Sequence, residues 1–420
     1  MQIERARAVL AGGCDSPVRS AWSVGGPMFV QASAQGAYAF DDAGRRYIDY
    51  IMAYGPLLFG HTHPALVTGL DSLARGGFVW GSTHLEEVRL AERVRAHLPS
   101  MQRMRFVTSG TEAMMSAVRV ARAFTRRSRV LKFGGSYHGH FDLALPDAGA
   151  SAESAGASGG IPDGVRRDVD VARYNDLDSV DARIDGRESE LAAIVVEPFC
   201  ANMGFVPPEP GFLEGLRERA RRCGALLIFD EVITWLRFGL EGAQGRVGIA
   251  PDLTALGKVM GGGVPIAAFG GREDVMATLA PSGDTFTGGT HGGNPFCVAM
   301  AHRVLDLLEN HPEYYAAMRS LAELLAGGIR NIFAQRDLHY AVVQQESIVD
   351  FKFHAGAANQ NYDDARRADL RAYAAYYHHM LERGILLPPS QNEVMFVSTA
   401  HAPGDIDETL TALEHSLPQQ

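Results

Sequence analysis

Cysteine is scarce in this chain. Cys14, Cys200, Cys223 and Cys297 are scattered over 420 residues, and no two stand in a CxxC spacing. That argues against a disulfide framework or a cysteine zinc site, and it predicts reduced thiols in a cytoplasmic protein. Basic excess is missing too: Lys+Arg number 39 against 49 Asp+Glu, a net charge of -10. A nucleic-acid binder would carry a basic footprint, and an anionic membrane would not attract such a chain. No apolar run approaches the roughly 18–20 residues of a membrane span, and residues 1–13 alternate charged and apolar side chains without the apolar core of a signal peptide. Neither GxxxxGK[ST] nor a strand–GxGxxG–helix unit is present, which speaks against nucleotide binding. His61 with His63, and His138 with His140, lie in turn-like Gly-His segments outside any HExxH pattern, so no metal is expected. What is present is 46% hydrophobic and 21% charged residues, the balance of a soluble globular protein. The length suffices for two domains, and the default expectation is a cytoplasmic enzyme.

No internal repeat is seen. The middle of the chain alternates short aliphatic or β-branched runs with helical patterns. Residues 105–108 read as a strand, and Ser109-Gly110-Thr111 opens a helix that runs to about 124. Further strands are expected at 129–133, at 192–196 (ending on Glu197-Pro198), at 225–229 and at 266–270, with a helix over 212–223. This alternation predicts a largely parallel sheet covered on both faces, with ligands gathering at the carboxyl ends of its strands. Residues 36–50 read as a hairpin turning at 41–44. From 296 onward come helical patterns, a polar stretch at 355–364, a helix over about 366–383 and a strand at 394–398, consistent with a smaller α+β domain. Residues 146–164 are rich in Ala, Ser and Gly. They suit either a disordered surface loop or a mobile lid.

The chemistry centres on Lys258, a lysine inside the apolar and glycine-rich run Ala-Leu-Gly-Lys-Val-Met-Gly-Gly-Gly. Twenty-eight residues upstream, Asp230 closes a strand-like run in Phe229-Asp230-Glu231-Val232. An amine nucleophile paired with a strand-end carboxylate is what pyridoxal phosphate (PLP) requires: the aldehyde condenses with the amine, and the carboxylate keeps the pyridine nitrogen protonated. Ser109-Gly110-Thr111 at a helix start can hold a phosphate, though Ser and Thr there also serve as ordinary caps. Tyr137-His138-Gly139 offers an aromatic face to a flat ring, or simply a loop aromatic closing the core. Residues 287–294, dense in glycine and hydroxyls, form a second loop able to meet a phosphate.

In order and spacing, Ser-Gly-Thr-Glu, Tyr-His-Gly-His, Phe-Asp-Glu-Val and Leu-Gly-Lys resemble the class III aminotransferases, PLP enzymes of fold type I. Within them the likeness is greatest to the glutamate-1-semialdehyde 2,1-aminomutases. It runs from Ser16-Pro-Val-Arg19 to Pro389-Ser-Gln391 and Glu393. The resemblance implies an α/β fold with a mostly parallel seven-stranded sheet in a large domain (53–295), a smaller α+β domain (296–420), and an N-terminal segment (1–52) packing on the latter. It implies that Lys258 forms the aldimine and shuttles protons, the enzyme passing through pyridoxamine phosphate (PMP). Asp230 then pairs with the pyridinium, Val232 packs behind the ring and Tyr137 stacks on its other face. Ser109, Gly110, Thr111 and His138 join the cofactor site, and Asn202 bonds the phenolic oxygen. Thr290 reaches the phosphate of a partner subunit, which makes the protein a homodimer. Arg19 clamps a substrate carboxylate and Glu393 joins it, while residues 146–164 fall where the aminomutases carry a gating loop.

Some positions depart from the aminomutase pattern: Trp235 where glycine is expected, His291 after Thr290, Asn392 for an aromatic beside Glu393, Tyr54 for tryptophan, and the run Gly81-Ser82-Thr83-His84. Several of them are candidates for lining the substrate pocket. Two activities therefore stand side by side. One is an aminomutase moving an amino group between adjacent carbons of a small carboxylate substrate. The other is an aminotransferase with separate donor and acceptor, perhaps in specialised metabolism.

Overall fold

A computed structural model describes residues 2–149 and 158–417. The N-terminal hairpin is there, extended by one strand: β1 (Gln31–Gln35), β2 (Tyr38–Asp41) and β3 (Arg46–Asp49). Asp41 makes the turn. Its Oδ1 accepts the N–H groups of Ala43 and Arg45 at 3.0 and 2.8 Å, the side-chain closure that favours Asp at such corners.

Seven further strands, β4 (Arg103–Val107), β5 (Arg129–Phe133), β6 (Val169–Ala172), β7 (Leu191–Val196), β8 (Leu226–Asp230), β9 (Leu253–Leu256) and β10 (Ala267–Gly271), form one sheet in the order β4-β10-β9-β8-β7-β5-β6. Neighbours from β9 through β6 pair in parallel, and only β10 runs antiparallel, against both β4 and β9. The expected mostly parallel sheet is therefore found, with strand ends displaced by one or two residues. The apolar runs are unbroken because both faces are covered. Leu226 and Ile228 of β8 meet Ala113 and Ala117 of the helix Gly110–Thr125. Leu227 and Phe229 point the other way, into a cluster with Phe212 and Leu216 of the helix Phe212–Cys223. Hiding a side chain such as Ile228 completely contributes about 1.5–3 kcal/mol.

The C-terminal part adds β11 (Tyr340–Gln345), β12 (Ile348–Ala355), β13 (Ile385–Leu386) and β14 (Met395–Phe396). β11, β12 and β14 form an antiparallel sheet, whereas β13 pairs in parallel with β3 and extends the N-terminal sheet to four strands. Ile48 and Tyr50 accordingly share a core with Leu325, Phe351 and Tyr376. The helix Pro295–Asn310 buries Val298, Val304 and Leu308 against Leu90 and Val94, so its partners are those of the large sheet. Among the described residues, no helix is long and apolar enough to cross a membrane.

Candidate active site

β8 and β9 run side by side, with Asp230 opposite Ala255. One residue past Ala255 the strand β9 ends; the chain passes through Gly257 and turns sharply at Lys258, whose φ is +46°. A left-handed turn at a residue with a β-carbon costs about 1 kcal/mol or more. It aims the side chain back over the carboxyl ends of the strands.

There a cavity of about 180 Å³ is lined by Ser109, Gly110, Thr111, Tyr137, His138, Asn202, Asp230, Val232 and Lys258. Five separate segments thus deliver the expected cofactor residues to one place. The chain has only three lysines. Lys132 is fully buried and donates to the carbonyls of Ala144 and Pro146 at 2.7 and 2.8 Å, and Lys352 is paired with Asp350 at 2.8 Å. Lys258 alone faces the cavity. Burial pushes its amine below the ordinary lysine range, against the opposing pull of Glu393, Glu197 and Asp230.

Asp230 is held from two sides. Its Oδ1 accepts the N–H of Val232 at 3.1 Å, and its Oδ2 lies 2.7 Å from His138 Nδ1 in a buried pair. His138 thus orients the carboxylate, a contact that sequence reading, which placed His138 against the cofactor, did not foresee. The opposite ring nitrogen, Nε2, is buried with no protein partner among the described residues. Glycine is needed at Gly110, because a β-carbon there would come within 3.0 Å of Val232, and at Gly139, where φ is +95° and a β-carbon would meet Thr111 at 2.6 Å. The N–H groups of Gly110 and Thr111 precede the first intrahelical bond, from Ala113 N–H to Ser109 C=O. They therefore point free donors and the positive helix end toward the cavity, while the Ser109 hydroxyl caps Glu112 N–H at 3.2 Å.

Sequence reading missed Glu197. Fully buried, it accepts the N–H of Tyr137 at 3.0 Å, the N–H of Ala201 at 3.1 Å and the Asn202 side-chain amide at 2.8 Å. It thereby ties Tyr137 to Asn202. Burial raises its carboxyl above the usual range. A carboxylate directly after a wholly apolar strand was the available signal, the same one that singled out Asp230.

The remaining candidates lie outside this cavity. Arg19, exposed after the single turn Pro17–Arg19, lines a neighbouring cavity of about 510 Å³ together with Tyr54 and His61. Tyr54 feels both Arg19 and Glu393, and a β-carbon on the adjacent Gly55 would lie 3.5 Å from Lys258 Cδ. Thr290 and His291 line a third, separate cavity of about 720 Å³ with Arg105 and Glu87. Trp235 lines none of the three. It is fully buried in the core beside Leu90, donating to Leu240 C=O at 3.0 Å, so its bulk repacks the core and leaves the pocket untouched. Residues 150–157 of the glycine- and serine-rich segment lie outside the described residues. No three or more His, Cys, Asp or Glu come together as a metal site among the described residues; His61 instead pairs with Asp49 at 2.8 Å.

An amine shifted down by burial, a carboxylate held rigid, and a helix start with free N–H groups and hydroxyls form a donor set that fits a flat, cationic ring carrying a phosphate. Comparison with known proteins points the same way. The family profile "Aminotransferase class-III" matches residues 21–417. A glutamate-1-semialdehyde 2,1-aminomutase from Syntrophomonas wolfei is 43% identical over 99% of this chain and 96% of its own length. Among solved structures, an omega-transaminase from Sphaerobacter thermophilus superposes with a TM-score of 0.89 at 31% identity, over 99% of this chain and 96% of that one. A glutamate-1-semialdehyde-aminomutase from Pseudomonas aeruginosa in complex with PMP gives 0.86 at 27% identity, over 99% and 93%. With this fold, fold type I, and coverage from end to end, the chain belongs to the class-III aminotransferase family of PLP-dependent enzymes.

Proposed function

We propose that this enzyme is an aminomutase of the glutamate-1-semialdehyde 2,1-aminomutase kind, moving an amino group between adjacent carbons of one small carboxylate substrate. The observation that carries this reading is the placement of Arg19 and Glu393 around Tyr54, whose neighbour Gly55 abuts the Lys258 stem. A guanidinium fork suits a carboxylate, and it stands on the approach to the only lysine at the site.

When bound, PLP supplies an electron-accepting ring that stabilises negative charge on the substrate carbon next to the nitrogen. The protein's part follows from its own groups. Gly110 and Thr111 would hold the phosphate at the helix start, with Ser109 as cap. Asp230, oriented by His138, would keep a proton on the ring nitrogen. Tyr137 and Val232 would bound the ring, and Asn202, fixed by Glu197, would donate to its oxygen. Lys258, its amine shifted down by burial, would take a proton from one carbon and deliver it to the next. Arg19 holds the substrate so that both carbons stay within reach.

Incubating the PLP-loaded enzyme with glutamate 1-semialdehyde alone tests the reading, with 5-aminolevulinate as the expected product. No product from that substrate alone, but turnover once an amine donor is added, would instead establish the aminotransferase with separate donor and acceptor. That alternative draws support from the pocket-lining departures Tyr54 and His291. Arg19→Ala is expected to raise KM about 10- to 100-fold, the worth of one charge-assisted contact, with cofactor absorbance unchanged. Steady-state kinetics of the variant check it, and parental KM would remove the clamp.

The partners we propose are the small carboxylate amine and a second copy of the chain, with no nucleic acid and no membrane. Thr290 lies away from its own Lys258 cavity, as a residue serving a neighbour's phosphate must. Exposed Phe78, Trp80, Leu85, Val88 and Phe286 give this side of the molecule apolar surface for such a copy, Val88 lining the Thr290 cavity itself. The cytoplasm is the compartment we propose, in keeping with four free cysteines.

A further inference from the structure

Arg237 follows the unexpected Trp235 and is the most deeply committed cation near the site. It is 1% exposed. Burial pushes its guanidinium down to about 9, against a small opposing pull from the Tyr315 phenol. Nη2 donates to the carbonyl of Gly55 at 2.6 Å and Nη1 to Ser347 Oγ at 2.7 Å, while the guanidinium carbon stands 4.6 Å over the Phe396 ring. Gly55 is also where the site begins: a β-carbon there would lie 3.3 Å from Phe396 and 3.5 Å from Lys258 Cδ. Arg237, Phe396, Gly55 and the Lys258 stem are therefore one packed stack. Among the described residues no carboxylate pairs with it; a buried cation of that kind is costly, and the cofactor site described above does not use it.

We propose that Arg237 is a positioning residue for Lys258: its charge, fixed behind Gly55 and Phe396, disfavours a second cation on the Lys258 amine. The inference rests on Lys258 being the reacting amine. The charged groups facing Lys258 are Glu393, Glu197 and Asp230, which favour the ammonium, and Arg237, which opposes it. Of these four, Arg237 is the only one that works with burial against the ammonium. The sign is fixed by Coulomb's law: removing a nearby positive charge makes protonation easier, so the amine should titrate at higher pH.

The experiment is the pH dependence of Lys258 modification by trinitrobenzenesulfonate in the full-length, cofactor-stripped chain, located by peptide mass. Only three lysines need to be told apart. Arg237→Gln removes the charge but keeps an amide donor for Gly55 and Ser347. It is expected to raise the midpoint by roughly one pH unit, with the visible absorbance of the PLP-loaded variant titrating higher as well. Ser347→Ala removes one of the contacts of Arg237 but keeps its charge, and is expected to hold the parental midpoint. An unchanged midpoint in folded Arg237→Gln overturns the proposal, and so does an equal rise in folded Ser347→Ala, which makes contacts and not charge responsible. Arg237→Met removes the same charge and gives the same readout where Arg237→Gln fails to fold. Because the readout is a titration, its failure is separable from that of the proposed function, which is read by turnover.

Discussion

Lys258→Ala abolishes turnover and removes the visible absorbance that a lysine-bound cofactor shows. The expected loss exceeds roughly four orders of magnitude, since one side chain supplies both the covalent attachment and the proton transfer, and the second role alone is worth 10²- to 10⁴-fold. No other amine can deputise. Lys132 is buried against the carbonyls of Ala144 and Pro146, and Lys352 is spent on Asp350. Fold and phosphate site should survive, because Gly110, Thr111 and their helix do not lean on the lysine. Alanine also keeps the position's left-handed backbone no worse than it was. Single-turnover assays and absorbance spectra of the purified variant measure the outcome; activity within tenfold of the parent would refute the role assigned to Lys258.

Asp230→Asn is expected to lower kcat about 10²- to 10³-fold, the usual consequence of removing one preorganised electrostatic partner from a closed site. Asparagine preserves shape and can still meet His138, now 2.7 Å from the carboxylate, and the Val232 N–H. What disappears is the negative charge that holds a proton on the ring nitrogen, so the ring becomes a poor acceptor of electrons. Binding of the cofactor should fall much less than kcat, because the phosphate contacts lie on another segment. Kinetics together with a cofactor titration separate the two effects. A parental kcat would show that the carboxylate serves only packing.

Much of this site is legible in the sequence because its parts are local. A lysine in a glycine-rich run, an aspartate at the end of an apolar strand and Ser-Gly-Thr at a helix start each announce their chemistry within a few residues. Glu197 carried the same strand-end signal as Asp230, but its work is to tie Tyr137, from another segment, to Asn202 in its own loop. The His138–Asp230 pair, likewise, spans 92 residues. Trp235 illustrates the converse. An unusual residue near a motif suggests a changed pocket, yet the turn after β8 carries its indole into the core.

By itself, then, the sequence determined the alternation of strands and helices, the apolar runs of β7 and β8, and the candidate reacting groups, because periodicity and residue chemistry are properties of short stretches. Tertiary structure alone decided that β10 would run antiparallel beside β9, that β13 would complete the N-terminal sheet, that Arg19 and Thr290 would line cavities other than that of Lys258, and that Arg237 would lie behind it. Those outcomes depend on which distant segments pack together, and packing is settled by the shape and burial of the whole chain rather than by any stretch of it.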